Sequence, residues 1–310
     1  MKKFCLKLVF IFSIFIVTNL LYKNTNFWKC ENDMFKFYNI PDNIQLANLG
    51  SSHGLYGINY EYITDINAYN FALQAQPYFY DYAILKKYIK HFSKNATIVI
   101  PISYFNISGH FDYSAFRKRY YRILKKKDMD YWNIKEDIIF SKCPILIAKT
   151  NIFKIFNDIS KEETSPYYNR TKSLDDEAFE HYCVERYNFW QSPDWTEGKI
   201  GYKKNIQKVS QIIDLCYSNN LIPVIITLPI SETLNLIYEK DVTFFSEFKQ
   251  FSDDLLKKYP NLIYLDYSRD TQFSPNHQLF ADGDHLNNFG AEIFTKRLIS
   301  DLRNKNLLHF

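Results

Sequence analysis

The chain has 310 residues, 46% of them hydrophobic and 18% aromatic, with 38 Lys and Arg against 34 Asp and Glu. That composition excludes a disordered or fibrous chain and is enough to bury the core of one large globular body. A net charge of +4 is too small to mark a nucleic-acid partner. The 25 Tyr and 27 Phe are first of all core material, with carbohydrate stacking a secondary use.

Lys2, Lys3 and Lys7 precede or enter an apolar run from Leu8 to Val17 that continues through Leu20, Leu21 and Tyr22. Counted from Phe4, this run approaches the ~20 residues that a spanning helix needs, with Lys7 snorkelling its amine toward water. No small-x-small cleavage signal follows in Lys23-Asn24-Thr25-Asn26-Phe27-Trp28. Residues 1–23 are therefore expected to be an uncleaved signal anchor rather than a removed peptide, 24–40 a linker, and 41–310 one domain. Lysines ahead of the run place that domain outside the cytoplasm, on the periplasmic or cell-surface side.

Beyond the anchor, short apolar runs alternate with amphipathic stretches, the pattern of a parallel α/β sheet of about five strands with helices on both faces. The expected strands are Ile44–Leu49, a short one near Ala68–Ala72, Ala96–Ile102, Leu221–Leu228 and Leu262–Leu265. Helices are expected over Tyr80–Ile89 and Tyr202–Tyr217 from apolar positions three and four apart. Residues 109–200, rich in aromatics and charge, read as an inserted helical cap. Within it, the basic cluster from Arg117 to Lys127 is expected to be a solvated helix face, with anionic lipid or an anionic glycan as alternative partners. The acidic cluster Asp175-Asp176-Glu177 is read the same way.

The five cysteines show no CxxC spacing, so no metal framework is expected. Cys216 reads as a buried helix residue, and one disulfide among Cys30, Cys143 and Cys183 stays open.

Two motifs carry chemistry. Near the C-terminus, Asp282-Gly283-Asp284-His285 places a carboxylate three residues before a histidine, so that on one helical face Asp282 could hold the His285 ring in one tautomer. Asp284 is expected to cap a helix beginning near Asn288. A metal reading of Asp282, Asp284 and His285 is disfavoured because no second histidine stands at i+4, and no cofactor is expected. Near the N-terminus, Gly50-Ser51-Ser52-His53 stands where a strand ends and a helix begins, the edge at which open α/β sheets present reactive groups. A serine there either caps the helix or acts as a nucleophile whose own N–H faces a developing oxyanion. His53 is expected to pack or to contact substrate.

The Gly-Ser-Ser-His block, followed late in the chain by Asp-x-x-His, resembles the SGNH or GDSL hydrolase superfamily in order and placement, over roughly Ile44–Asn106 and Tyr202–Leu302. Ser51 stands where that family more often has Asp. A Gly-Ser-Ser block resembles its membrane-anchored branch, which acts on cell-surface polymers, as in teichoic-acid D-alanylation and alginate acetylation. The resemblance implies a flavodoxin-like three-layer sandwich with Ser52 as nucleophile, His285 as base and Asp282 as its carboxylate. The family's oxyanion-hole Gly and Asn fall near Gln74 or Ala75 and at Ser103 or Asn106, with Ser103 preferred. It further implies serine-dependent acyl transfer on an envelope polysaccharide, as an O-acyltransferase or an esterase. The partners would be an acylated or acyl-accepting glycan and a multispanning membrane-bound O-acyltransferase. The alternative is a catalytically silent scaffold or glycan-binding protein on the same fold.

Overall fold

Each of the expected apolar runs forms a strand in the computed structural model, which describes residues 1–104, 107, 114–148, 175–190, 199–240 and 242–308. The strands are β1 (Ile44–Asn48), β2 (Ala68–Asn70), β3 (Phe92–Pro101), β4 (Ile222–Thr227) and β5 (Ile263–Asp266). All pair in parallel, in the order β2-β1-β3-β4-β5, which is the flavodoxin-like doubly wound order. Leu46, Ala47, Ile98, Val99, Val224 and Ile226 have no exposed surface, as expected of strands covered on both faces. β3 begins four residues before the expected start. Its polar first half pairs Phe92 with Ile44, and the register then shifts before Leu46 meets Thr97.

The longer helices are α1 (Lys2–Asn24), α2 (Ser52–Gly57), α3 (Tyr78–Tyr88), α4 (Asp176–Trp190), α5 (Lys199–Ser218), α6 (Glu232–Tyr238), α7 (Val242–Lys258) and α8 (Asn288–Asn304). The chain separates into two compact units, one of residues 1–40 with 114–165 and one of 41–113 with 166–310. The second contains the whole sheet.

In the first unit, α1 is long and apolar enough to cross a membrane, with a mean hydropathy of 2.3 over its best window and 6% of that window buried. Signal sequences meet the same criterion. Within the expected linker, residues 26–37 fold into short helical turns, burying Trp28, Met34 and Phe37. The basic cluster is a run of short helical turns rather than one helix, and it is solvated only in part: Lys118, Lys125, Lys126 and Lys127 are exposed, whereas Arg119 is buried and Arg122 lies on an aromatic ring and backbone oxygens. Arg122 sits 4.0 Å over Trp28, donates to its carbonyl and also to Glu31 O at 3.2 Å, while Arg119 is 3% exposed. Lys126 covers Trp132 at 4.5 Å. Cys143, Cys183 and Cys216 are free thiols, and Cys216 is fully buried in α5.

Candidate active site

The carboxyl edge of the sheet holds the Gly-Ser-Ser-His block. Gly50 takes φ +116°, in the region where only glycine is unstrained, and a β-carbon there would meet Pro101 at 3.1 Å. This turn is fixed from three sides. Gly50 N–H donates to Asp81 Oδ1 at 2.8 Å, Leu73 N–H donates to Gly50 O at 3.1 Å, and Gln76 Nε2 donates to Asp81 Oδ1 at 2.7 Å. Below it, Asn48 Nδ2 donates to Gly54 O at 3.1 Å and to Asn70 Oδ1 at 3.0 Å. Asn70 Nδ2 in turn donates to Gly54 O and Ile58 O, both at 2.9 Å. Two strand-end amides thus hold the short helix α2, which starts at Ser52. Ser51 makes no side-chain cap to it.

The second block does not enter a helix. Residues 280–286 close a loop through the Phe280–Leu286 bridge and the Ala281 N to His285 O hydrogen bond of 2.8 Å. Asp282 Oδ1 accepts from His285 N at 2.8 Å and from Asp284 N at 3.2 Å, so a carboxylate bonding its own following backbone, rather than helical spacing, brings i and i+3 together. The helix cap is Asn287, whose side chain accepts from Gly290 N, and not Asp284.

The fold brings three of the predicted residues together. His285 Nε2 lies 2.8 Å from Ser52 Oγ, and His285 Nδ1 lies 2.9 Å from both oxygens of Asp282. Two acceptors at Nδ1 require the proton there, which leaves Nε2 to accept from the Ser52 hydroxyl. His53 is buried and stacks on the His285 ring at 4.3 Å and 20°. Burial, and then the neighbouring His285, push its pKa down to about 4, so it is neutral at pH 7.

Asp284 is 1% exposed and lies at the centre of the cluster. Its Oδ1 is 3.0 Å from His285 Nδ1 and its Oδ2 is 3.3 Å from His53 Nε2. Arg186 Nε, from α4, donates to both of its oxygens at 3.0 and 3.1 Å. Burial opposes ionisation of Asp284, but Arg186, then His285, hold the carboxyl well below the usual carboxylate range. Burial likewise opposes the charged form of His285, yet Asp282 and then Asp284 raise it above an ordinary histidine. His53, Asp284 and His285 offer ligand atoms within 4.8 Å of one another. The guanidinium on Asp284 already supplies the positive charge that a cation would bring there.

The predicted oxyanion residues are less closely drawn in. Ala75 occupies the left-handed region at φ +50° in the turn bonded to Gly50 O, a conformation that suits glycine, and Gln74 beside it is exposed. Ser103 stands two residues beyond the end of β3, 5% exposed, with its hydroxyl making no hydrogen bond among the described residues. Asn106 lies outside the described residues.

Sequence reasoning missed Arg186 and Asp81. Asp81 carried a signal, because it shares the buried stripe of α3 with Tyr78, Leu85 and Tyr88. Arg186 carried none, since its partner is 98 residues away.

No family model matches the chain, and no curated protein does. Among solved structures, it is similar to a candidate platelet activating factor from Streptococcus pneumonia, at 12% identity over 94% of this chain and 99% of that one, with a TM-score of 0.40.

Proposed function

We propose that the sheet-containing unit is a serine-dependent acyl-transfer enzyme of SGNH type. The observation that carries this reading is the continuous line from Ser52 Oγ through the His285 ring to Asp282, with contacts of 2.8 and 2.9 Å. His285 Nε2 takes the Ser52 proton as Oγ attacks an ester carbonyl, and Asp282 stabilises the imidazolium through Nδ1–H. Backbone N–H groups at the start of α2 and the buried Ser103 hydroxyl are the proposed donors to the oxyanion. His285 then returns the proton to the departing alkoxide, leaving an acyl ester on Ser52. An incoming hydroxyl, deprotonated by the same nitrogen, takes the acyl group.

That acceptor is proposed to be a sugar hydroxyl of an extracytoplasmic polysaccharide, which makes the protein an O-acyltransferase, and water in its place would make it an esterase. The support is the apolar helix α1, which would hold the unit at a membrane with its body outside under the positive-inside rule. A multispanning acyltransferase that delivers acyl groups across the membrane is the proposed partner.

The test is labelling of the full chain by a fluorophosphonate serine probe, together with turnover of a chromogenic acetate ester. Wild type should label and turn over, and Ser52→Ala should lose labelling and roughly 10⁴-fold or more in turnover. A wild type that does neither refutes the enzyme and leaves a binding protein on this fold. Acylation of the envelope glycan that falls on gene deletion supports transfer, and acylation that rises supports removal.

A further inference from the structure

Besides its lysines, α1 carries Ser13, Thr18 and Asn19 among its apolar residues. Ser13 Oγ and Thr18 Oγ1 donate to the carbonyls of Val9 and Ile14, both at 2.8 Å, which satisfies each hydroxyl inside the helix. Asn19 behaves differently. It is 7% exposed although the next residues, Leu20 and Leu21, are 53% and 56% exposed. Its Nδ2 donates to Lys142 O at 2.8 Å and its Oδ1 accepts from Ile145 N at 3.3 Å. One turn on, Lys23 Nζ donates to Ser141 O at 3.1 Å.

The segment held in this way is Cys143-Pro144-Ile145-Leu146-Ile147-Ala148, with a 3-10 turn over Pro144–Ile147. It contains no charged side chain. Its inner residues Ile145 and Ala148 pack with Tyr22, Phe27 and Trp28. Its outer residues Leu146 and Ile147 are 59% and 38% exposed. Its backbone is closed on itself, with Leu146 N donating to Cys143 O at 3.1 Å and Ala148 N to Ile145 O at 3.3 Å. The preceding turn, Ile138–Lys142, adds the exposed Ile138. Two exposed aliphatic side chains on a turn whose Cys143, Ile145, Leu146 and Ala148 N–H groups are all bonded, that of Ile145 by an amide inside the apolar helix, suit hydrocarbon better than water. Ile16, Val17, Leu20 and Leu21 of α1 are exposed as well, and Asn19, which stands among them in sequence, is the residue that bonds Lys142 and Ile145. The exposed Lys142 and the partly buried Lys23 end the surface where headgroups would lie.

We infer that residues 143–148 form a second membrane-inserted element, a shallow wedge in the leaflet that holds the C-terminal turns of α1, with Leu146 and Ile147 among the acyl chains. The inference rests on the membrane-anchor reading of α1. It also requires α1 to be retained, because its removal would strand the polar groups of Ser141, Lys142 and Ile145 and open the cluster around Trp28.

The experiment reconstitutes the full chain in phosphatidylcholine–phosphatidylglycerol vesicles, with and without acyl-chain bromination. Leu146→Trp and Val17→Trp are compared, each read as the difference from the wild-type spectrum. Both added emissions should be blue-shifted and lose roughly half their intensity on brominated lipid, as for rings at the acyl boundary. A quenched Val17→Trp with an unquenched, water-like Leu146→Trp would overturn the wedge and leave the anchor standing. If neither is quenched, the anchor reading fails and the wedge fails with it. Adding Asn19→Leu should abolish quenching at position 146 but not at position 17, and quenching at 146 that survives it would overturn the role given to Asn19.

Discussion

His285 meets two carboxylates, and what else each one touches separates their roles. Asp282, partly exposed, also gathers the backbone N–H groups of its own loop. Asp284 is sealed under Arg186 and His53. Asp282→Asn removes the acceptor that fixes the Nδ1 proton and should lower turnover by about 10³–10⁴-fold. Asp284→Asn removes one of the charges that raise His285. Since the reaction needs the neutral imidazole, the acid limb of the kcat/KM profile should move to lower pH, with a loss in kcat of up to about 100-fold from altered ring placement. An acid limb that stays in place would show that Asp284 does not act on His285. Burial pushes the Asp81 carboxyl up to about 7 against the lowering effect of the Gly50 N–H and Gln76, and its Oδ2 has no hydrogen-bond partner among the described residues. A folded-state pKa above the unfolded value means stability that is full below about pH 4 and lost as pH rises through about 7. Asp81→Asn should remove that dependence and gain up to about 4 kcal/mol relative to wild type above neutrality, read from urea midpoints between pH 4 and 8.

At the scale of elements, the runs that became β1, β4 and β5 were legible because continuous apolar residues of strand length have few other ways to bury both faces. The first half of β3 was not, since Ser93, Lys94 and Asn95 carry no apolar pattern and are strand only because β1 lies alongside. The Asp282–His285 pairing was anticipated for the wrong geometric reason: the loop is closed by an Asp side chain, and the helix waits until Asn288. What makes that start possible is Gly290, whose N–H reaches Asn287 Oδ1 and whose missing β-carbon would stand 2.1 Å from Leu279 O. Gly290→Ala must push the carbonyl that receives Asn287 N–H, and should cost about 2–4 kcal/mol in thermal or urea unfolding while disturbing the His285 loop. An unchanged midpoint would mean that the loop adjusts freely.

At the scale of the molecule, residues 1–40 and 114–165 share one unit although the sheet's first strands lie between them in sequence. Tyr22, Trp28 and Ala148 form one cluster, and Arg122 bridges to Trp28 and Glu31. A chain beginning at residue 41 should therefore keep a folded sheet-containing unit but expose 114–148 to protease, with cuts in that segment appearing first in limited proteolysis. Protection equal to that of the full chain would show that the segment does not depend on the N-terminal residues. The full chain itself should partition with membranes and resist carbonate extraction, as a helix of this length and hydropathy would.

Determined by the sequence alone were the features whose cause is local: the long apolar N-terminal helix, the alternation that makes a parallel sheet, and the two short blocks that carry Ser52, Asp282 and His285. Each depends on spacing within a few residues. Only the tertiary structure decided that Asp284 shares His285 with Asp282, that Arg186 neutralises it, that Asp81 holds the Gly50 turn, and that Arg122 folds onto Trp28, Glu31 and Tyr38. These depend on groups far apart in the chain, whose charges and hydrogen bonds count only after burial removes the water that would otherwise satisfy them.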